Sequence, residues 1–164
     1  MKKGDWYRQL FGRIRESIDK EFYFEAAFIC YGIIEDRLTS VAKKEGLYKV
    51  DRTDDKGLEP FDGVNKKVKA IKKIRAERVK KAFKCKKWDG GKYKKSEVLD
   101  AAVDWGELYR NPMQHTLGDP RHYNASVGNY QTVNAKDLAE EGERVARDLA
   151  AGVMRWKKRK KQGL

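Results

Sequence analysis

Proline, histidine and cysteine are scarce in this chain. Its 164 residues include 3 prolines, 2 histidines and 2 cysteines. The cysteines, Cys30 and Cys85, are too far apart for a metal-binding motif, and two thiols make no disulfide framework. We therefore expect neither a bound metal nor a cofactor, and a reducing cytoplasm is the simplest setting for the protein.

Long apolar runs are also missing. No run approaches the roughly 20 residues that a membrane-spanning helix requires, and the opening sequence MKKGDWYRQLF lacks the uncharged core of a secretory signal. We expect a cytoplasmic protein with no membrane partner. The length suits a single domain over residues 1–164, with a basic C-terminal tail from about residue 157 to 164.

Apolar residues recur at helical spacing along most of the chain, which the few prolines leave uninterrupted. The expected helices run from about residue 5 to 22, 22 to 46, 64 to 83, 96 to 109 and 135 to 158. Asp5 is the expected cap of the first helix, and Phe22 belongs to the apolar stripes of both the first and the second helix. The core of the second and last helices is expected at Phe22, Ala26, Ile29, Cys30, Ile33, Leu38, Val41, Ala42, Leu138, Val145, Leu149, Val153 and Trp156. Residues 48–63 are rich in Asp, Gly and Pro and predict a loop. The sequence therefore predicts an all-α fold, closed as an up-and-down helical bundle of four to five helices.

Positive charge is in excess and is localised. The chain carries 38 Lys and Arg against 25 Asp and Glu, and fifteen basic residues but only two acidic ones lie between Lys66 and Lys95. Such a stripe attracts phosphate backbones because binding releases counterions, whereas a solvated helix face with a frayed tail is the plainer interpretation. If RNA binds, we expect contacts from five residues of the third helix: Lys69, Lys72, Lys73, Arg75 and Lys80.

The segment Arg110–His115, with the sequence RNPMQH, pairs a fixed cation with one of the two histidines. Pro112 excludes an uninterrupted helix there, so Asn111 becomes a natural N-cap with Pro112 at the first helical position. His115 then lies in the first turn, where free amides and the positive end of the helix dipole favour a bound phosphate. Arg110 stays charged at every relevant pH and can bind two oxygens of one phosphoryl group.

This pairing suits metal-independent RNA cleavage, which needs a base for the 2′-hydroxyl and a cation for the developing negative charge. One imidazole does not easily serve both proton roles, so the chemistry suggests a symmetric dimer that joins two copies of the motif. The arrangement arises by accident in about one sequence in twenty of this composition. In the alternative interpretation, Arg110 pairs with a carboxylate and His115 is a capped surface residue.

With these residues the sequence resembles the HEPN superfamily, helical-bundle domains of toxins, abortive-infection proteins and CRISPR effector nucleases. RNPMQH is similar to the family signature of Arg, a polar residue, a short spacer and His, and FEAAFICYGIIEDRL is similar to its second helix. The resemblance implies that Arg110 and His115 are catalytic and that Asn111 orients them. It also implies an acidic partner for the arginine, Glu35 or Asp36.

The sequence thus predicts a homodimeric endoribonuclease of toxin or antiviral-defence type, and the resemblance implies an antitoxin or a nucleotidyltransferase as its companion. A non-catalytic HEPN-like module that binds nucleic acid or serves as a scaffold is the alternative, and a helical DNA-binding protein is a third hypothesis. The carboxylates of Glu35 and Asp36 also have a plainer interpretation, as salt bridges to Arg37 or to a surface lysine.

Overall fold

The computed structural model describes residues 3–47, 63–74, 77–84, 97–107 and 135–163. Within these ranges the chain forms six α-helices and no strand, so the all-α prediction is confirmed. The helices are α1 (Lys3–Asp19), α2 (Tyr23–Lys44), α3 (Gly63–Lys72), α4 (Glu77–Phe83), α5 (Val98–Trp105) and α6 (Ala135–Lys161). None of these described helices combines the length and apolar character that crossing a bilayer would require.

The two longest helices, α2 and α6, pack against each other and form the centre of the described structure. They run in the same direction, because Cys30 in the first half of α2 lies near Glu143, whereas Glu45 just after α2 accepts a hydrogen bond from Trp156. Their buried residues follow the helical spacing and confirm most of the predicted core: Ala26, Cys30, Ile33, Leu38, Val41, Ala42, Leu138, Val145, Leu149, Val153 and Trp156.

Helix α1 packs against α2 with Ile14 fully buried. It begins at Lys3, so Asp5 lies in the first turn rather than at the cap that the sequence predicted. The prediction for Phe22 was wrong, because this residue was expected in the apolar stripes of both helices and is 59% exposed. The chain turns at Glu21, which adopts the left-handed conformation with φ of 62°, and Phe22 therefore falls between the two helices.

The basic stretch after residue 63 forms two helices where the sequence predicted one. The apolar stripe of α3 packs on α2 and α5, whereas that of α4 packs on α6. Because the two halves bury their side chains against different helices, one continuous helix would not bring both apolar stripes into contact with their partners. The buried apolar residues are Val64, Val68 and Ile71 in α3 and Val79, Ala82 and Phe83 in α4.

Helix α5 is fixed to the start of α6 by Trp105, whose side chain is among the largest that are fully buried. Its Nε1 donates a hydrogen bond of 3.0 Å to the carbonyl oxygen of Leu138. Its ring lies so close to Gly142 that a Cβ on that glycine would be 2.7 Å from Cζ2. We call this contact the α5–α6 tie. At the other end of α6, residues 157–161, which were assigned to a basic tail, continue the helix.

Candidate functional site

The three motif residues Arg110, Asn111 and His115 lie outside the described residues, as does Arg75. What the structure describes is where the chain enters and leaves the segment that holds the motif. It enters after Glu107 and leaves at Ala135. The α5–α6 tie joins these two points, so the motif segment starts and ends on a fixed part of the helical core.

The start of the motif segment lies beside α3. Gly106 packs on the side chain of Val64, with 4.0 Å from a Cβ built on the glycine, and Asn65 Nδ2 donates a hydrogen bond of 2.5 Å to Glu107 Oε1. Lys67 lies one turn beyond Val64 on the same buried face of α3. The motif segment therefore starts beside the same face of α3 that carries Lys67.

That partner is Glu35, the acidic residue that the family resemblance implied. Its Oε1 lies 2.9 Å from Lys67 Nζ and accepts a hydrogen bond of 2.9 Å from the Tyr31 hydroxyl. The Lys67 side chain is only 3% exposed, and a buried cation needs a neutralising partner of this kind. Glu35 is thus engaged by a lysine within the described structure, while Arg110 lies outside it.

Sequence reasoning counted Lys67 among the solvated charges of the basic stretch. The signal that would have found it is its register, since it stands three residues after Val64 and four before Ile71 on the apolar stripe. A lysine at such a position is either an interruption of the core or a buried half of an ion pair.

Asp36 forms a second cluster of polar contacts. It accepts a hydrogen bond from the Tyr7 hydroxyl and a 3.1 Å bond from Lys3 Nζ, and its Oδ2 lies 3.4 Å from Arg37 Nη2. Partial burial acts to raise the pKa of the Asp36 carboxyl, but the hydrogen bonds from Tyr7 and Lys3 outweigh it and hold the pKa below its ordinary value. Both carboxylates therefore form ion pairs, as the plainer interpretation predicted, although the lysine at Glu35 is buried.

One face of α2 carries the Glu35 carboxylate together with exposed aromatic rings. Phe24, Phe28, Tyr31 and Glu35 follow one another at intervals of four, three and four residues, which places them on the same side of the helix. Phe24 and Phe28 are each 50% exposed. We call these four residues the α2 strip.

The outer face of α3 carries Lys66 and Lys69, and Lys73 follows directly after the helix; all three are exposed and are spaced at three and four residues. None of the three forms an ion pair with any residue in the described part of the chain. Lys72 differs, because it lies 2.5 Å from Asp100 Oδ1 and 3.6 Å from Glu97 Oε2. Of the lysines predicted to bind RNA, Lys69 and Lys73 thus have no ion-pair partner among the described residues.

A cleft of about 550 Å³ lies between α3, α4 and the start of α5. Its lining mixes buried apolar side chains with lysines, and it includes Lys72 and Lys80, both predicted to bind RNA. Glu77 lies 3.9 Å from Lys80 and 3.7 Å from Lys81, so two lysines share one carboxylate. The other lining residues are Ile71, Ile74, Val79, Phe83, Lys84, Glu97 and Leu99.

The described structure thus provides the α5–α6 tie between the two flanks of the motif segment, an acidic residue paired near the first flank, and a cationic surface on α3 and α4. The resemblance to the HEPN superfamily depends on the residues of the sequence quoted above. Comparison with protein-family models, with curated proteins and with solved structures returned no match for this chain.

Proposed function

We propose that the protein is a metal-independent endoribonuclease of toxin or antiviral-defence type, with an HEPN-like helical bundle as its fold. Arg110 and His115 are its catalytic residues, and Asn111 positions them. The observation that carries the proposal is the α5–α6 tie, which anchors both ends of the segment with this motif on the helical core. Catalytic groups need such a rigid support, since a misplacement of about 1 Å costs rate.

In the proposed reaction, His115 accepts the proton of an RNA 2′-hydroxyl as its oxygen attacks the adjacent phosphorus. The bond from phosphorus to the 5′-oxygen breaks, which leaves a 2′,3′-cyclic phosphate and a 5′-hydroxyl. Arg110 stabilises the negative charge that develops on the phosphoryl oxygens. The His115 of a second copy donates the proton that the leaving 5′-oxygen needs.

Glu35 takes a positioning role in this proposal. Its carboxylate neutralises the buried Lys67, and Lys67 shares a face of α3 with Val64, on which Gly106 packs. The pair therefore holds α2 and α3 together beside the starting point of the motif segment. This role differs from direct contact with Arg110, which the family resemblance implied.

The α2 strip supports the homodimer. Two half-exposed phenylalanines on one helix face, Phe24 and Phe28, offer an apolar surface on which a partner can dock. Glu35 lies on the same face, so a second copy of this chain docked on Phe24 and Phe28 would lie next to the Glu35–Lys67 pair. Each motif would then face its mate across a twofold axis.

The substrate would lie along the cationic surface of α3 and α4. Lys69 and Lys73 form no ion pair with any residue that the structure describes, and Lys72 and Lys80 line the adjacent cleft. Together with Arg75 they provide phosphate contacts without base specificity. The proposed setting is the cytoplasm, and an antitoxin or a nucleotidyltransferase is the proposed companion.

The test is cleavage of single-stranded RNA by purified protein in the presence of EDTA. We expect the wild type to produce 2′,3′-cyclic phosphate ends, and the His115→Ala and Arg110→Ala variants to lose at least about a hundredfold in rate. His122→Ala serves as the matched control, because it removes the other histidine of the chain. Wild-type cleavage that persists in His115→Ala would contradict the proposal.

A non-catalytic nucleic-acid-binding module is the second candidate, and two observations favour it. Glu35 is already paired with Lys67, and the exposed lysines of α3 need only a polyanion, not a reaction. Expression in a bacterial host separates the candidates. Equal growth of cells that express the wild type and the Arg110→Ala/His115→Ala variant, with intact cellular RNA, would favour binding alone.

A further inference from the structure

The last turns of α6 carry positive charge that the proposed function does not use. Arg155, Lys158 and Lys161 are all exposed and stand three residues apart, so they share one side of the helix. None of them forms an ion pair with any residue that the structure describes. Because α6 continues to Lys161, where the sequence predicted a tail, these charges are held on a regular helix.

Two contacts fix the end of α4 against this side of α6. The Phe83 ring lies so close to Gly152 that a Cβ on the glycine would be 2.8 Å from Cδ1. One turn further along α6, Arg155 Nε donates a hydrogen bond of 2.9 Å to the carbonyl oxygen of Ala82. Lys84 follows Phe83 directly and is exposed, so it lies at the same place. The name α4–α6 basic end is used below for Lys84, Arg155, Lys158 and Lys161.

Arg155 is already positioned for a ligand. Its bond to Ala82 uses Nε and leaves the two terminal nitrogens of the exposed guanidinium without a partner among the described residues. A guanidinium held in this way loses less side-chain entropy on binding a phosphate than a freely rotating cation does. Its remaining donors therefore suit the oxygens of a phosphate group.

Helix dipoles account for only part of this charge. Helices α2, α4 and α6 all end in this region, since Lys160 donates a hydrogen bond to the carbonyl oxygen of Lys44 at the end of α2. At about half a negative charge for each helix end, the four cations of the α4–α6 basic end exceed the three dipoles by about two charges. The nearby carboxylate of Glu45 is buried and is already shared by Arg78 and Lys160.

We propose that the α4–α6 basic end binds the phosphate backbone of a single RNA strand, as a continuation of the cationic surface on α3 and α4. Lys84 connects the two surfaces, because it also lines the cleft that contains Lys72 and Lys80. The proposal rests on RNA as the substrate of the function proposed above, but it does not require cleavage. It defines the substrate further, as a strand long enough to pass over α4 and reach α6.

The scarcity of exposed apolar side chains favours RNA over a lipid bilayer. A helix that lies on a membrane buries an apolar face among the lipid head groups. Of the exposed large apolar side chains in the described part of the chain, Met154 alone lies on α6. A cationic surface without an apolar face fits a strand of phosphates.

The test is fluorescence anisotropy of a labelled, unstructured oligoribonucleotide of about 20 nucleotides, longer than most single-strand sites. The full chain carries Arg110→Ala/His115→Ala as the parent, so that cleavage does not interfere. Adding Lys158→Gln/Lys161→Gln should lower the magnitude of the slope of log affinity against log salt by about 1.4, since about 0.7 is lost for each phosphate contact. Arg8→Gln/Lys20→Gln removes the same charge from exposed positions of α1 and its following turn and should leave the slope nearly unchanged.

Arg155→Lys, in the same parent, tests the positioned guanidinium separately. It keeps the charge but loses the bond to Ala82 and the terminal donors. The salt slope should therefore stay the same while affinity falls several-fold. Unchanged affinity would contradict the role of Arg155, and the Lys158→Gln/Lys161→Gln variant, which alters only exposed side chains, keeps the site testable if a change at Arg155 impairs folding.

The remaining outcomes distinguish this site from the proposed substrate. An equal fall in slope for the α1 control would mean that RNA senses only the general positive field, and the site would be overturned. A slope that falls in Lys69→Gln/Lys73→Gln but not in Lys158→Gln/Lys161→Gln would confine RNA to α3 and overturn the site alone. Absence of RNA binding by the parent and the wild type would refute the proposed substrate itself.

Vesicles that contain phosphatidylserine provide the last arm. We expect them to bind weakly and with little dependence on Lys158 and Lys161. Vesicle binding that is lost in Lys158→Gln/Lys161→Gln, while RNA binding is unchanged, would assign the α4–α6 basic end to a membrane surface and overturn the proposal.

Discussion

At the scale of single residues, Glu45 joins three helices. It follows α2 directly, its side chain is 5% exposed, and it accepts bonds from Arg78 Nη2 at 2.7 Å and Trp156 Nε1 at 2.8 Å. Burial acts to raise the pKa of the Glu45 carboxyl, but the hydrogen bonds from Arg78 and Trp156 outweigh it and lower the pKa. The ionised carboxylate therefore holds α4 and α6 to the end of α2.

Glu45→Gln should lower the free energy of unfolding by about 1–3 kcal/mol at pH 7, because it removes a buried acceptor charge that Arg78 and Trp156 share. The folded pKa lies below the unfolded value of about 4.3, so this stability is present above that pH and lost as the pH falls through the folded pKa. Urea denaturation at pH 7 and at acid pH should show the difference shrinking. Glu77→Gln, an exposed carboxylate, is the control and should change stability by less than about 0.5 kcal/mol.

Cys30 is predicted to be an unreactive thiol. Burial raises its pKa, and the charge of Glu143 raises it further, so little thiolate exists near neutrality. In a Cys85→Ser variant, alkylation by iodoacetamide at pH 8 should be at least about a hundredfold slower in the folded protein than in denaturant. Comparable rates in the two states would mean that the thiol is accessible.

At the scale of elements, the α5–α6 tie depends on a glycine. Trp105 occupies the space that a side chain at position 142 would need, so its ring packs directly on the backbone of α6. The hydrogen bond from Trp105 to Leu138 then fixes the angle of the ring. The identity of residue 142 in α6 therefore affects the position of α5, after which the motif segment starts.

Gly142→Ala should destabilise the protein by about 1–3 kcal/mol, because a Cβ at 2.7 Å from the Trp105 ring forces a buried aromatic side chain to move. Gly12→Ala is a matched control in α1, since its Cβ would meet nothing within 4 Å. There the gain in helix propensity should stabilise the protein by about 0.5–1 kcal/mol. Thermal unfolding of both variants measures the two opposite signs, and equal signs would contradict the packing described for Trp105.

At the scale of the whole molecule, the net charge of +13 is spread unevenly. Many basic residues of the described structure share carboxylates, as Lys80 and Lys81 share Glu77. The outer face of α3 is an exception, and it determines where a polyanion gains most from binding.

Lys69→Gln/Lys73→Gln should lower the magnitude of the slope of log affinity for single-stranded RNA against log salt by about 1.4, since about 0.7 is lost for each phosphate contact on a single strand. Lys20→Gln/Lys43→Gln removes the same charge elsewhere on the surface and should leave the slope nearly unchanged. Filter binding over a range of salt concentrations gives both slopes. Equal effects of the two variants would show that RNA does not prefer α3.

Periodicity was enough to predict the helical class and most of the core, because burial of an apolar stripe depends on spacing alone. It did not predict the division between α3 and α4, which depends on the helices that each half meets in three dimensions. Buried Lys67 and Arg37 were also missed, since a charge on an apolar stripe becomes meaningful only when its partner is known. For the candidate site, the sequence alone predicted the motif, whereas the pairing of Glu35 with Lys67 is evident only from the tertiary packing.

Because the α5–α6 tie brings the flanks of residues 108–134 together, changes in the length of that stretch would cost the helical core little. The entropy of closing a loop grows only slowly with its length once its ends are fixed. The whole stretch, with its chemistry, is therefore exchangeable on the same scaffold. A chimera that carries a foreign segment between Glu107 and Ala135 should fold as the parent does, which makes this position a natural graft point for engineering.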